Sequence, residues 1–334
     1  MTAGGLLGRL TVVEVRRLFA RRLAKVGLLL GLVIVGISLY GTYSVTRPPS
    51  APERAESQAQ FEQAQREFSA NGEQMVADCL AQQAKQRQTQ PDADFGCDQM
   101  QPRLENFGRP VARFEGEWRP ALQGTSYVAM FLAFLIGAGF VAAEISTGSL
   151  ATWLTFQPRR GAVLAAKFLA VALGALLMGA LLLGLSLGGV RLVLGAVGTT
   201  ALPAGDAAQL WATLGRGVLL SGVAALSGAA LGALLRHTAA ALGLVVGYLI
   251  VVEGMFAGLV QSLRPWLLAL NVTAWLEHGA TYSVQRCANS ATGEYSCQSV
   301  DQVLGFGRAS VYLGVLLVLL LAVTFWLFRR RDVT

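Results

Sequence analysis

An all-α membrane protein with six transmembrane helices is what this sequence of 334 residues predicts, and three observations predict it. Long apolar runs punctuate the chain, basic residues gather in alternate loops, and cysteines gather in the others. With 54% hydrophobic and 14% charged residues, the chain carries more apolar surface in unbroken runs than a soluble fold would bury. Crossing about 30 Å of hydrocarbon takes roughly 18 or more mostly apolar residues. Residues 26–45, 125–143, 162–190, 207–235, 239–263 and 309–328 meet that length. In lipid each run must satisfy its own backbone hydrogen bonds, which makes each a helix. The third and fourth are long enough to tilt or to protrude.

The net charge of +7 matters through its placement. Arg9, Arg16, Arg17, Arg21, Arg22 and Lys25 precede the first span. Arg159, Arg160 and Lys167 flank the loop after the second, Arg236 lies after the fourth, and Arg329, Arg330 and Arg331 follow the last. Positively charged loops face the cytosol, so both termini are expected there, including the tail 329–334. Loops 46–124 and 264–308 then fall outside. This pattern is one of orientation and not of nucleic-acid binding. Arginine outnumbers lysine, and Ala, Gly and Leu dominate, as in a bacterial chain from a GC-rich genome. The expected location is a bacterial cell membrane (inner or plasma). No small-residue cleavage site follows the first run, so it reads as a retained span.

The cysteines agree with this topology. Cys79 and Cys97 lie in the first external loop, Cys287 and Cys297 in the last. Disulfides persist in oxidising compartments. Four cysteines allow three connectivities, and proximity favours pairing within each loop. The alternatives are free thiols or a zinc site, and the latter lacks a CxxC or a nearby histidine.

Taken in order, residues 1–25 hold a cytosolic amphipathic helix over 9–25. Val12, Val15, Leu18, Phe19 and Leu23 follow helical spacing, with arginines between them. Such a helix lies at the lipid surface, as an active element or as a simple anchor. Pro48, Pro49 and Pro52 break the exit of the first span. Residues 53–88 then predict one or two helices, joined near Asn71-Gly72, with Phe61, Ala64 and Phe68 on one face. A Cys79–Cys97 bridge would tie them into an extracellular cap, as a lid, a docking surface or a folded spacer. The third, fourth and fifth spans are dense in glycine (Gly174, Gly179, Gly217, Gly222, Gly228), which permits close helix approach. Arg236-His237-Thr238 joins the fourth and fifth spans as a tight pair. In loop 264–308 the stretch Trp266–Trp275 is apolar and is expected to dip into the interface.

The candidate functional segment is the cytosolic loop 144–161. Thr147 or Ser149 can cap a short helix that Pro158 ends, because the residue before proline resists the α region. Leu150, Trp153 and Leu154 fall at i, i+3 and i+4, one apolar face beside arginines. Such a face is either an interfacial helix or a docking knob.

Glu144, Gly148, Leu154, Pro158, Arg159, Arg160 and Lys167 resemble the loop signature of type-2 ABC exporter permeases, the membrane-spanning subunits of ATP-binding cassette transporters. The likeness extends over most of the chain: an interfacial helix, six spans, this loop, and an external segment before the last helix. It implies that the loop couples to an ATP-hydrolysing subunit through Glu144, Gly148, Leu150, Trp153, Leu154, Pro158, Arg159 and Arg160. It implies two permease units per transporter, as a homodimer or a heterodimer, with the first and fifth spans at their contact. No GxxxxGK[ST] occurs, nor any Gly-Lys pair, so the phosphate-cradling loop of an ATPase is missing. The chain is then no enzyme by itself and holds no cofactor. ATP and Mg would belong to the partner ATPase.

Glu253, within the fifth span, is the notable intramembrane carboxylate. Placing it near mid-membrane costs about 2.5–3.5 kcal/mol on insertion scales. It is a substrate, proton or dimer-contact site, or a residue near the external end bonded to backbone or to Tyr248. No catalytic residue and no metal site emerge: only His237 and His278 are present, and HExxH is absent. Two other classes compete with an exporter permease. One is a membrane-anchored sensor or assembly protein working through its cap. The other is a proton-coupled secondary carrier using Glu253.

Overall fold

The computed structural model describes residues 3–88, 93–108, 113–150, 155, 159–197, 206–256, 259–289 and 295–330. Helix α1 (Ala3–Ala20) and helix α2 (Arg22–Thr46) are separated at Arg21, whose backbone is extended. The N-terminal helix therefore ends before Lys25, and an elbow separates it from the first span. On α1, Leu10, Thr11, Glu14 and Leu18 are buried, while Val12 and Phe19 are exposed.

Helix α3 (Ala51–Arg87) begins with a capping box at Ser50. The Glu53 carboxylate accepts hydrogen bonds from the Ser50 N–H (2.7 Å) and hydroxyl (2.8 Å), which satisfies groups that a helix start leaves orphaned. Of the one or two helices expected, one forms: it runs unbroken through Asn71-Gly72, with no join there. Glycine within a helix costs only about 1 kcal/mol, and here the Phe68 ring covers it: a Cβ at Gly72 would come within 3.0 Å of that ring. With 37 residues, α3 is about 55 Å long. It packs on its own return segment. Phe61 meets Phe107 edge-on at 6.0 Å, the Gln83 side chain accepts the Phe95 N–H at 2.9 Å, and Cys79 is bonded to Cys97.

Helices α4 (Phe114–Ser146), α5 (Arg160–Val197) and α6 (Asp206–Leu235) form the centre of the bundle. Helix α7 (Thr238–Tyr248) continues as a π-helix over Leu249–Phe256. Next come helix α8 (Leu268–Leu276), strands β1 (Gly279–Asn289) and β2 (Tyr295–Gly305), and helix α9 (Phe306–Arg330). Six helical stretches among the described residues are long and apolar enough to cross a membrane: α2, α4, α5, α6, α7 with its π extension, and α9. The strands form an antiparallel hairpin in which Cys287 faces Cys297 and is bonded to it. This hairpin is an addition to the otherwise helical fold that the sequence predicts.

The most apolar windows of α4, α5 and α6 are 61, 50 and 56% buried, against 22, 6 and 11% for α2, α7 and α9. The first three are the core, and the others lean on it. Helices α4 and α6 meet backbone to backbone. A Cβ at Gly228 would stand 2.1 Å from the Phe134 carbonyl oxygen, and one at Gly137 would stand 2.2 Å from that of Ala225. Lipid tails are as apolar as leucine, so helices in membranes associate through this kind of close packing.

The bundle has two distinct ends. At the basic end lie Arg21, Glu144, Lys167 and the Arg236-His237 turn. Arg329 closes that end beside Gly161. At the disulfide end lie the α3 cap, α8 and the hairpin.

Two expectations follow. Gly228→Ala should lower stability by about 1–3 kcal/mol through overpacking, read as a lower melting temperature in detergent. Gly184→Ala, where nothing lies within 4 Å of the added methyl, should leave melting unchanged. The double variant Cys79→Ser/Cys97→Ser opens a closure of 18 residues, worth about 3 kcal/mol to the cap. Limited proteolysis should then cut the cap sooner, with bundle melting unaffected.

Candidate functional site: a buried charge junction under the loop

The end of α4 and the start of α5 meet at a cluster of charges inside the protein. Lys167, Glu14 and Glu144 are 0, 1 and 3% exposed. The Lys167 Nζ lies 2.9 Å from Glu14 Oε2 and 2.5 Å from Glu144 Oε2. Arg21 bonds Glu144 Oε1 and also donates to the Phe140 carbonyl at 3.2 Å. Arg17 reaches Glu14 Oε1 at 3.2 Å and Glu144 Oε1 at 3.5 Å. The Phe140 ring underlies both cations, 4.6 Å from the Arg21 guanidinium and 5.1 Å from the Lys167 ammonium.

Local sequence explains the meeting. Glu14 and Leu18 lie one turn apart on the buried face of α1. Glu144 ends the buried face of α4, and Lys167 lies two turns into α5. An isolated buried charge costs several kcal/mol, so each must find a partner. Here three cations face two carboxylates. The result is a polar joint that binds α1, the end of α4 and the start of α5.

The loop leaves this joint through an ordered turn. Gly148, with φ of 70°, occupies the left-handed position after the α4 C-cap at Thr147, where glycine carries no steric penalty. The Ser149 hydroxyl donates to the Glu144 carbonyl at 3.3 Å. Leu150 is 1% exposed and belongs to the same buried cluster as Val141, Val163, Leu164 and Phe328. It is not part of an exposed face: its side chain pins the loop to the bundle and is not available for docking. Trp153, Leu154 and Pro158 lie outside the described residues. Arg159 is exposed, and its carbonyl accepts the Ala162 N–H at 3.0 Å as α5 begins; Arg160 is the first residue of that helix.

Residues 18–333 match the family model described as ABC-2 family transporter protein. The chain belongs to the ABC-2 transporter family. No curated protein and no solved structure matches it. As an ABC-2 family protein it is a multi-pass membrane component of transport. The charge junction lies where α4 ends and α5 begins, at the two ends of the loop 144–161.

Glu253 lies elsewhere, at the disulfide end. Its carboxylate accepts the Ala269 N–H at 2.9 Å, the backbone-bonded arrangement that was one of its two sequence readings. Sequence reasoning missed Glu14. The signal was present, since Glu14 is the only acidic residue before Glu53 and stands one turn from Leu18. It also missed Arg216 on α6, which is 9% exposed. Among the described residues no His, Cys, Asp and Glu cluster has the geometry to hold a metal ion.

Lys167→Met would remove the fully buried cation that both carboxylates share, leaving them only the rim arginines Arg17 and Arg21. It should destabilise the protein by about 3–5 kcal/mol, measured by denaturation in detergent micelles. Adding Glu14→Gln and Glu144→Gln should recover most of that loss, because the buried carboxylates are then neutral while the partly exposed Arg17 and Arg21 can turn to solvent.

Proposed function

We propose that this chain is the permease subunit of an ABC exporter in a bacterial cell membrane, with both termini and the basic end in the cytosol. ATP and Mg are bound by a separate ATPase subunit, which engages the loop 144–161. The observation that carries this reading is the charge junction beneath that loop. Force applied to the loop meets the ends of α4 and α5, and the junction passes it to α1 as well. A loop hung on a flexible tether would absorb the same force.

The mechanism follows from the unequal packing. Helices α4, α5 and α6 with α1 form a body held by backbone contact and buried charge. Helices α2, α7 and α9 present most of their apolar surface outward. These are the faces for lipid and for a second permease copy, with α2 and α7 at the pairing surface. Closure of the ATPase dimer tilts the central body against the outer helices and opens a path between the two permease units. Substrate leaves at the disulfide end, beside the cap. Arg159, exposed at the foot of α5, is placed to pair with ATPase carboxylates.

The test is a pull-down of the tagged permease in mild detergent, followed by an ATPase assay. An ATPase should co-purify with the wild type. Trp153→Ala/Leu154→Ala should lower its capture and coupled activity at least tenfold, with permease melting unchanged. Full coupled activity in that variant would contradict the docking role of the loop. Absence of any ATPase would contradict the exporter itself and favour a protein working through its cap.

A further inference from the structure

Helix α8 is short, lies at the disulfide end, and is met at each terminus by a charge of the appropriate sign from a different transmembrane helix. At its start, Glu253 accepts the Ala269 N–H at 2.9 Å, and the Tyr248 hydroxyl accepts the Leu268 N–H at 3.2 Å. Both groups come from α7 and its π extension. Leu267, the N-cap, has no side chain able to do this. At its finish, Arg216 of α6 donates to the Trp275 carbonyl at 3.3 Å. Arg216 also holds Thr213 Oγ1 at 3.1 Å and the Ala212 carbonyl at 3.2 Å, and its guanidinium lies 5.8 Å from the Phe306 ring centre. Among the described residues no carboxylate lies within ion-pair distance of Arg216. A helix carries partial positive charge at its N-terminus and partial negative charge at its C-terminus. Glu253 and Arg216 therefore match the α8 dipole from both sides.

We infer that Glu253 and Arg216 are positioning residues that clamp α8 across the disulfide end, and that the Glu253 end is the one released during transport. The two ends are not equally anchored. Arg216 is fixed within the core and backed by Trp275 stacked on Phe306. From α4, the Tyr127 and Thr273 hydroxyls meet at 2.7 Å. Glu253 instead sits on the span whose apolar window is only 6% buried, in a π-helical turn. Such turns are uncommon and recur at functional positions. When α7 moves, α8 stays with the core and the Glu253 contact is the one that opens. This accounts for a carboxylate in an otherwise apolar span. The release rests on the permease reading given above; the clamp itself does not.

Hydrogen exchange of the full-length protein, read on the peptide covering 268–276, tests both parts. In the permease alone, Glu253→Ala should speed exchange of the first-turn amides at least tenfold. Glu253→Gln, which keeps an acceptor oxygen without the charge, should fall between it and the wild type. Glu277→Gln, an exposed change just past the helix, should have no effect. Unchanged protection in Glu253→Ala would overturn the clamp. With a co-purified ATPase turning over, ATP should raise exchange at 268–271 in the wild type and leave 272–276 protected. Equal exchange with and without ATP during turnover would overturn the release. Failure of the permease reading would show separately, as no bound ATPase, with the first comparison still decisive for the clamp.

Discussion

Burial of Lys167 between Glu14 and Glu144 is the constraint on which the rest of the structure depends. None of the three could be taken from water alone, because the desolvation cost of each is several kcal/mol. Together, with Arg17 and Arg21 at the rim, they turn that cost into a condition. Helix α1 must lie where Glu14 reaches Lys167, and α4 must end where Glu144 does. An N-terminal helix that composition alone would leave as a surface anchor thus becomes part of the bundle. The elbow at Arg21 follows, since the chain must turn from that helix into α2 while the Arg21 side chain closes over Glu144.

A second kind of adhesion operates deeper in the bundle. There α4 and α6 touch through glycine and alanine, with no room for a methyl group at Gly137 or Gly228. Charge at one end and backbone contact in the middle make α1, α4, α5 and α6 one body. At the opposite end the bonding changes character again. Helix α8 packs Ala274 against Leu304 and Ala309 of the hairpin and α9, and takes single hydrogen bonds from Tyr127, Arg216, Tyr248 and Glu253. The charged joint thus sits at the basic end, and the single hydrogen bonds from Tyr248 and Glu253 that tie α7 to α8 sit at the far end.

Much of this was legible in the sequence, for identifiable reasons. Spans declare themselves by length and hydropathy because lipid permits few alternatives, and the pairing of cysteines within each loop is local. What stayed hidden depends on contacts distant along the chain. Glu14 and Lys167 are 153 residues apart, and no periodicity reveals that they meet. Arg216 reads as an interruption of a span until the Trp275 carbonyl is seen above it. Asn71-Gly72 has the composition of a turn, yet Phe68 covers the glycine and the helix continues. The hairpin from Gly279 to Gly305 does carry alternation, in Tyr282, Val284 and Val300, but it is diluted by the polar residues of an exposed sheet.

The central claim is that the junction makes α1 and the end of α4 move together when the loop is driven. Spin labels at Val12 and Ser146, both exposed, would report the distance between these elements in the assembled complex. The account predicts one narrow distance distribution that does not change between nucleotide-free and ATP-bound states. A distance that shifts with nucleotide in an intact complex would mean that α1 and α4 separate during the cycle, and the junction would not be a rigid joint.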